Sequence, residues 1–305
     1  MDKAVFINGG AGRVMCAIPA LEKHIEKNPN SIVVSEAWGE IFLTSPILRE
    51  RVYMPNTKGL FEQHLKNLDI ISPEPYRFNP YFNQKCNLIQ AFDMLINGFD
   101  DYTKIPETLP INLEVPKTQQ INGYNFLEEA KQNLGKEKSV IFQPFGSGAK
   151  QEGRFIYDSS GRSFELADVL KIIESLNDKG FLVVLMSTFK IPTNANLGIV
   201  YPEGIDLLGW MGLVNAADYF LGCDSVGQHM AHALNKPATV VIGGTCPENI
   251  TYPDNKDFVV IDNGKDERKY APYRILWEPA YDLNNENLMI LSDEQFKKII
   301  ESVKV

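Results

Sequence analysis

The segment from Cys223 to His229 combines residue types that can bind phosphate. A predicted strand, 219–222, ends just before it, and a predicted helix of about 226–234 begins within it. The first backbone N–H groups of a helix have no partners inside the helix and carry partial positive charge. We therefore predict a diphosphate site, with candidate ligands Asp224, Ser225, Gly227, Gln228 and His229. In the plainer alternative, Asp224 or Ser225 only caps the helix and His229 lies on its surface.

A second candidate block follows the predicted strand 139–142. It is rich in small and basic residues, and its candidate phosphate ligands are Gly146, Ser147, Lys150, Arg154 and Arg162. The three cations would neutralise a diphosphate if this loop folds over the pocket. An exposed polar loop with solvated charges is the alternative interpretation.

Thr245 lies in the turn after the predicted strand 238–242. Because ligands of open α/β sheets bind at the carboxyl ends of the strands, Thr245 can belong to the same site. A turn without a ligand is the alternative. His229 and His232 are three residues apart and could share a metal ion, but no third ligand is placed near them in the sequence, so we predict no metal.

The glycine-rich turn Gly9-Gly10-Ala11-Gly12 follows the predicted strand 4–7. Glycines permit a tight strand-to-helix turn whatever ligand binds. The turn partly fits a dinucleotide fingerprint, because Glu36 ends the second strand, where a ribose-binding acid would lie. Met15 stands where that fingerprint has its third glycine. A dinucleotide-dependent oxidoreductase is therefore an alternative function.

The overall composition indicates a folded, acidic protein. The chain has 305 residues and a net charge of −9, which disfavours non-specific binding of nucleic acid. Its four cysteines show no metal-type spacing, which favours a reducing compartment. The N-terminus lacks a signal-peptide pattern, and no window reaches the roughly 18 apolar residues of a spanning helix. We expect a cytoplasmic protein with no stable membrane span.

Strand and helix patterns alternate along the chain, which is typical of parallel α/β units. The segment 69–83 is rich in proline and aromatic residues and is predicted to be a loop. We predict an N-terminal domain at 1–120, a linker at 121–138 and a C-terminal domain at 139–285. The final segment, 286–305, is predicted to contain a helix that can pack back on the N-terminal domain.

Together these blocks resemble the glycosyltransferase family 9 enzymes, which include the lipopolysaccharide heptosyltransferases. The family pattern Asp-Ser/Thr-Gly-x-x-His-x-Ala-x-Ala-Leu-Gly-x-Pro is similar to residues 224–237. The phrase Asp206-Leu207-Leu208-Gly209 and the turn Gly244-Thr245-x-Pro247 also fit the family order. The Arg162-Ser163 phrase is closer to repeat-associated members. The similarity covers most of residues 1–260 and is weaker in the first half.

The resemblance implies a GT-B fold, with two facing Rossmann-like domains, parallel sheets and a cleft between the domains. It implies inverting, metal-independent transfer of a sugar from a nucleotide-diphosphate donor on the C-terminal domain. The hydroxyl acceptor (a glycan, a lipid-linked sugar or a modified DNA base) would bind the N-terminal domain near Gly10 and Gly12. No prosthetic group is implied.

One departure from the family bears on catalysis. The family has a Gly-Asp turn after the first strand, and its aspartate is the expected general base. Here Arg13 occupies that position, and a guanidinium cannot accept a proton at working pH. The candidate catalytic residues on this side are Arg13 and Glu36, with Glu40 as a second carboxylate. Alternatively, the acceptor ionises readily, or the protein binds sugar nucleotides or glycans without catalysis.

Overall fold

The computed structural model describes residues 1–106, 109–193, 197–269 and 287–304. These residues belong to two compact units, which divide between Glu114 and Val115. Each unit contains a parallel β-sheet with α-helices. The α/β fold class predicted from the alternation of strands and helices is confirmed.

The first unit contains a four-stranded parallel sheet in the order β3-β2-β1-β4. Its strands are β1 (Lys3–Ile7), β2 (Ile32–Ser35), β3 (Val52–Tyr53) and β4 (Asp69–Ile71). Its helices are α1 (Ala11–Lys27), α2 (Gly39–Leu43), α3 (Asn79–Phe82) and α4 (Leu88–Asn97), with short 3-10 helices at Pro75–Arg77 and Tyr102–Lys104 and a π-helical turn at Phe61–Leu65. Helix α1 packs against α4, and the chain order of the sheet reverses between β1 and β4.

The second unit contains a six-stranded sheet that is parallel throughout. Its strands are β5 (Lys138–Gln143), β8 (Phe181–Leu185), β9 (Ile199–Val200), β10 (Tyr219–Cys223), β11 (Ala238–Ile242) and β12 (Phe258–Asp262). Their order, β12-β11-β10-β5-β8-β9, is that of a Rossmann sheet, in which the chain order reverses between the first and fourth strands. Two further strands, β6 (Lys150–Glu152) and β7 (Phe155–Tyr157), form a separate antiparallel hairpin.

The helices of the second unit cover a sheet whose central strands are buried on both faces. Every residue of β8, β10 and β11 is buried, as their continuous apolar sequences predict. The helices are α5 (Lys117–Leu134), α6 (Leu166–Asp178), α7 (Leu207–Ala216), α8 (Val226–Ala233), α9 (Pro247–Ile250) and α10 (Asp293–Ser302).

The structure corrects two features of the predicted organisation. Helix α5 occupies most of the predicted linker 121–138. Its sequence shows only a weak apolar pattern, because Gly123 and Leu127 are its only buried residues. Strand β4 lies in the predicted loop 69–83 and has only three residues. Helix α10, in the final segment, packs against α6 and β12 of the second unit, where the Tyr219 hydroxyl donates to the Ser302 carbonyl at 3.0 Å; whether it also packs on the N-terminal domain stays a prediction.

Helices α5 and α7 approach each other through two glycines. A Cβ atom added to Gly123 would lie 2.4 Å from the Gly212 carbonyl oxygen, and one added to Gly212 would lie 2.3 Å from the Gln119 carbonyl oxygen. Contacts this short with backbone atoms cannot be relieved by a side-chain rotation. The two helices therefore pack at this distance only with glycine at both positions.

We expect Gly123→Ala to lower the free energy of unfolding by about 1–3 kcal/mol, because α5 and α7 must move apart. Alanine is more favourable than glycine in a helix by about 1 kcal/mol. If there were space for a side chain at position 123, the same substitution would therefore raise the free energy of unfolding. Urea denaturation measures the difference, and Asn133→Ala on the exposed part of α5 is the control. A stabilised Gly123→Ala protein would contradict the close packing.

Candidate functional site

The two predicted phosphate-binding blocks lie at one edge of the second sheet. Ligands of open parallel sheets bind outside the carboxyl ends of the strands, where the chain order reverses. In the second unit this point lies between β5, which ends at Gln143, and β10, which ends at Cys223. Residues 146–163 follow β5, and residues 224–229 follow β10. The sheet topology therefore brings the two blocks together.

Gln143 connects the two strand ends directly. Its side-chain Oε1 accepts a hydrogen bond from the Gly227 backbone N–H at 2.9 Å, and its Nε2 donates to the Ser225 hydroxyl at 3.1 Å. Ser225 precedes α8 but makes no capping hydrogen bond with its own side chain. Gln143 thus supplies the acceptor that a capping residue usually provides. The sequence analysis did not include Gln143 among the site residues.

Gly227 has a packing role at this position. A Cβ atom there would lie 2.4 Å from Gln143 Oε1 and 2.5 Å from the Phe220 ring. The sequence makes Gly227 a candidate phosphate ligand, whereas in the structure its backbone N–H donates to the Gln143 amide oxygen.

Asp224 is a buried carboxylate at the start of this segment, with 5% of its surface exposed. Burial raises the pKa of Asp224, and the opposing influences are the nearby Arg162 charge and the neighbouring Thr245 and Gln228 side chains. Gln228 Nε2 donates to Asp224 Oδ1 at 2.8 Å. Among the described residues, neither the buried Thr245 hydroxyl oxygen nor the buried Gln228 Oε1 has a hydrogen bond of ordinary geometry. The structure therefore places the predicted residues Asp224, Gln228, Thr245 and Arg162 together.

The loop 158–163 is organised by Asp158, which the sequence analysis missed. Its carboxylate accepts from the Ser160 hydroxyl at 2.5 Å and from the Ser163 hydroxyl at 2.6 Å. The Ser163 hydroxyl in turn accepts from the Gly146 N–H at 2.9 Å, which joins the loop to the turn after β5. This arrangement fixes the backbone on both sides of Arg162.

Arg162 is held by two hydroxyl groups. Its Nε donates to Ser160 Oγ at 3.1 Å, and its terminal nitrogen donates to Ser147 Oγ at 3.3 Å. Lys150 and Arg154, the other predicted cations, are exposed on the hairpin of β6 and β7. Of the three cations, Arg162 is therefore the one whose charge acts on the start of α8.

The His229 side chain lies inside the second unit. Its ring is 2% exposed, and Nδ1 shares a hydrogen bond with the Tyr252 hydroxyl at 2.6 Å. Burial lowers the pKa of His229 to about 3, and the nearby His232 lowers it as well. The His232 ring stacks on Tyr252 at 3.6 Å. A role for the His229 side chain as a donor to diphosphate stays a prediction.

The first unit has its own reversal of chain order, and Arg13 lies there. Its guanidinium donates to the Glu74 carboxylate at 3.1 Å and to the Pro73 carbonyl at 3.0 Å. Both acceptors follow β4, and the guanidinium also lies over the Tyr76 ring at 5.1 Å. The structure thus places a carboxylate, Glu74, beside the position where Arg13 replaces the expected base. No local sequence pattern indicates Glu74, because 61 residues separate it from Arg13.

The other candidates of the first unit surround the turn after β1. Gly10 precedes α1 and is exposed, with open space where a Cβ atom would lie, and Gly12 lies in the first turn of α1. Glu36 follows β2 and is exposed. Met15, at the position of the missing fingerprint glycine, is fully buried in α1.

The described residues contain neither a metal site nor a membrane-spanning helix. In the described part of the chain, no three His, Cys, Asp or Glu side chains are arranged to hold a metal ion. Among the described residues there is also no helix with the length and hydropathy that a membrane crossing requires.

The buried His229 predicts a pH dependence of stability. The unfolded histidine takes up a proton below its ordinary pKa of 6.5, whereas the folded one does so only near 3. Unfolding therefore takes up a proton between these values, and stability falls as the pH is lowered, by at most about 1.4 kcal/mol per pH unit from this group.

Urea denaturation between pH 7 and pH 5 tests this effect. We expect His229→Gln to reduce the pH dependence relative to the unsubstituted protein, whereas His64→Gln in the first unit leaves it unchanged. An identical pH dependence with and without His229 would show that this ring does not remain neutral in the folded protein.

No family model matches the sequence, and no curated protein sequence matches it. Solved structures do. The E. coli ADP-heptose lipopolysaccharide heptosyltransferase II is 16% identical, with 99% of this chain and 97% of that chain covered and a TM-score of 0.64. A family 9 glycosyltransferase from Veillonella parvula is 13% identical, with the same coverage and TM-score.

An E. coli heptosyltransferase solved with ADP is also similar. It is 14% identical, with 87% of this chain and 95% of that chain covered and a TM-score of 0.53. At these identities the similarity concerns the fold. The chain therefore has the GT-B fold of the heptosyltransferases and of the family 9 glycosyltransferase.

Proposed function

We propose that this protein is a glycosyltransferase that transfers a sugar from a nucleotide-diphosphate donor to a hydroxyl acceptor. The observation that carries the proposal is the site at the reversal point of the second sheet. There the N-terminus of α8 lies beside the Arg162 charge, with the hydroxyl groups of Ser225 and Thr245 close by. This combination suits a diphosphate, which needs both positive charge and hydrogen-bond donors.

The donor would be a nucleoside diphosphate sugar bound to the second unit. Its proposed ligands are Gly146, Ser147, Lys150, Arg154, Arg162, Asp224, Ser225, Gly227, Gln228, His229 and Thr245. The similar heptosyltransferase solved with ADP supports an adenosine diphosphate donor as the first candidate to test. The acceptor is a hydroxyl group of a glycan, a lipid-linked sugar or a modified DNA base. The four scattered cysteines, which show no disulfide-type density or metal-type spacing, support a cytoplasmic location.

In the proposed reaction, the acceptor oxygen attacks the anomeric carbon as the bond from that carbon to the diphosphate oxygen breaks. The electron pair of this bond leaves with the nucleoside diphosphate. Arg162 and the N-terminus of α8 would stabilise the charge that develops on this leaving group. Attack from the face opposite the diphosphate would invert the configuration at the anomeric carbon.

The proton of the acceptor hydroxyl needs a base, and the first unit suggests Glu74. Arg13 cannot serve, since its guanidinium stays protonated. Glu36 follows β2, which flanks β1 on the side opposite β4, and its backbone N–H donates to the Ile7 carbonyl at the end of β1 at 2.9 Å. Glu74 lies at the reversal point between β1 and β4, 35% of its side chain is exposed, and Arg13 and the Tyr76 N–H orient its carboxylate. We propose Glu74 as the general base and Arg13 as its positioning residue.

Arg162→Gln tests the donor site. Loss of a charged hydrogen-bond partner costs about 1.5–3 kcal/mol, so we expect ADP to bind about 10- to 100-fold more weakly. Isothermal titration with ADP, UDP, GDP, CDP and dTDP provides the measurement. Lys171→Gln, which removes an exposed cation of α6 that is not among the proposed ligands, is the matched control and should leave ADP affinity unchanged. Equal ADP affinity in the Arg162→Gln and unsubstituted proteins would contradict the proposal.

Glu74→Gln tests the base. The amide keeps the shape of the side chain but cannot accept the proton, and general-base catalysis contributes about 100- to 10,000-fold to the rate. We expect kcat for release of nucleoside diphosphate from a panel of nucleotide sugars to fall by about this factor, with unchanged ADP affinity. Glu36→Gln should retain near-normal kcat. A loss of activity in Glu36→Gln but not in Glu74→Gln would reverse the assignment.

The alternative function is binding of a sugar nucleotide without catalysis, which the arginine at the expected base position favours. ADP binding without release of nucleoside diphosphate from any nucleotide sugar, with or without added acceptor hydroxyls, would support this alternative.

A further inference from the structure

We propose that Gln143 is a positioning residue for the donor diphosphate. It holds the Ser225 hydroxyl so that the hydroxyl proton is directed to a phosphate oxygen. This inference rests on the proposed function, because it concerns the same site. It assigns a role to a residue that the motif at 224–237 does not contain.

The orientation of the Gln143 amide follows from its two partners. The Gly227 backbone N–H can only donate, so the atom that contacts it at 2.9 Å is the amide oxygen. The amide nitrogen therefore faces the Ser225 hydroxyl at 3.1 Å, and this nitrogen can only donate. No exchange of the two amide atoms satisfies both contacts.

This orientation determines the role of the Ser225 hydroxyl. A hydroxyl has one proton to donate and two lone pairs that accept. Because one lone pair accepts from Gln143, the Ser225 proton must be donated to another group. Within the described residues, the Ser225 side chain makes no capping hydrogen bond to α8. A phosphate oxygen at the start of this helix is an acceptor that suits both the charge and the position.

The surroundings hold the Gln143 side chain in this conformation. Gln143 is 7% exposed, and its amide oxygen occupies the space that a side chain at Gly227 would need. Phe220 closes the same space from the other side. The glycine in α8 is therefore required for Gln143 to reach the helix, which connects a residue of β5 to the predicted phosphate-binding segment.

The test uses titration of ADP and of adenosine, which lacks the phosphates. In Gln143→Glu, the carboxylate still accepts from the Gly227 N–H, which preserves the start of α8. It also accepts the Ser225 proton, which is then withdrawn from the ligand. We expect at least a roughly 10-fold loss of ADP affinity and little change for adenosine. Unchanged ADP affinity would overturn the proposal.

A double-mutant cycle separates positioning from the added negative charge. Gln143→Met introduces no charge, and we expect it to weaken ADP binding by about 10-fold when Ser225 is present. In the Ser225→Ala background the hydroxyl that Gln143 positions is missing, so the same substitution should weaken binding by less than about 2-fold. Equal losses in both backgrounds would show that Gln143 acts independently of Ser225 and would overturn the inference. The melting temperature of each variant identifies any loss of folding, and the adenosine titration identifies any general damage to the site.

The outcomes also distinguish this inference from the proposed function. If the unsubstituted protein binds none of the nucleoside diphosphates, the proposed function and the inference both fail. The inference alone fails if three results are found together: the unsubstituted protein binds ADP, Arg162→Gln weakens this binding, and neither Gln143 variant changes it.

Discussion

The site of the second unit depends on one pair of hydrogen bonds, those from Gln143 at the end of β5 to the start of α8. A parallel sheet whose chain order reverses leaves a crevice outside the carboxyl ends of the two strands at that point, because their connections leave in opposite directions. Gln143, at the carboxyl end of β5, contacts both Gly227 and Ser225 at this crevice. These hydrogen bonds fix the position of the start of α8 relative to the end of β5. The loops that follow the two strands are thereby held close to each other.

Charge at this edge of the sheet is balanced by a few buried contacts. The Asp224 carboxylate is removed from water, which is unfavourable for its charged form. Its nearby partners are the Arg162 charge and the Gln228 amide. Asp158 fixes the loop that carries Arg162, through the Ser160 and Ser163 hydroxyls. The position of the cation therefore depends on a carboxylate that would not itself contact a ligand.

The sequence predicted the elements with strong local patterns and missed those that depend on distant contacts. The apolar strand β10 and the helix α8 were predicted with nearly their observed bounds. Gln143 was missed because its two partners are 82 and 84 residues away. Helix α5 was missed because its contact with α7 is made by backbone atoms and glycine, which leave little hydrophobic periodicity.

Two of the predicted site residues make contacts in the structure that the sequence did not predict. Gly227 was predicted as a phosphate ligand, and in the structure its backbone N–H donates to the Gln143 amide oxygen. His229 was predicted to extend towards a ligand, whereas its ring is bonded to Tyr252, 23 residues later. In both cases the local motif indicates the helix terminus, while the partner of the side chain is set by tertiary packing.

The central claim is that a nucleoside diphosphate binds at the reversal point of the second sheet. A crystal structure with ADP tests it most directly. The account predicts that the β-phosphate lies within hydrogen-bond distance of Ser225 Oγ and of the Arg162 guanidinium. A diphosphate bound instead to the glycine-rich turn Gly9–Gly12 of the first unit would contradict it.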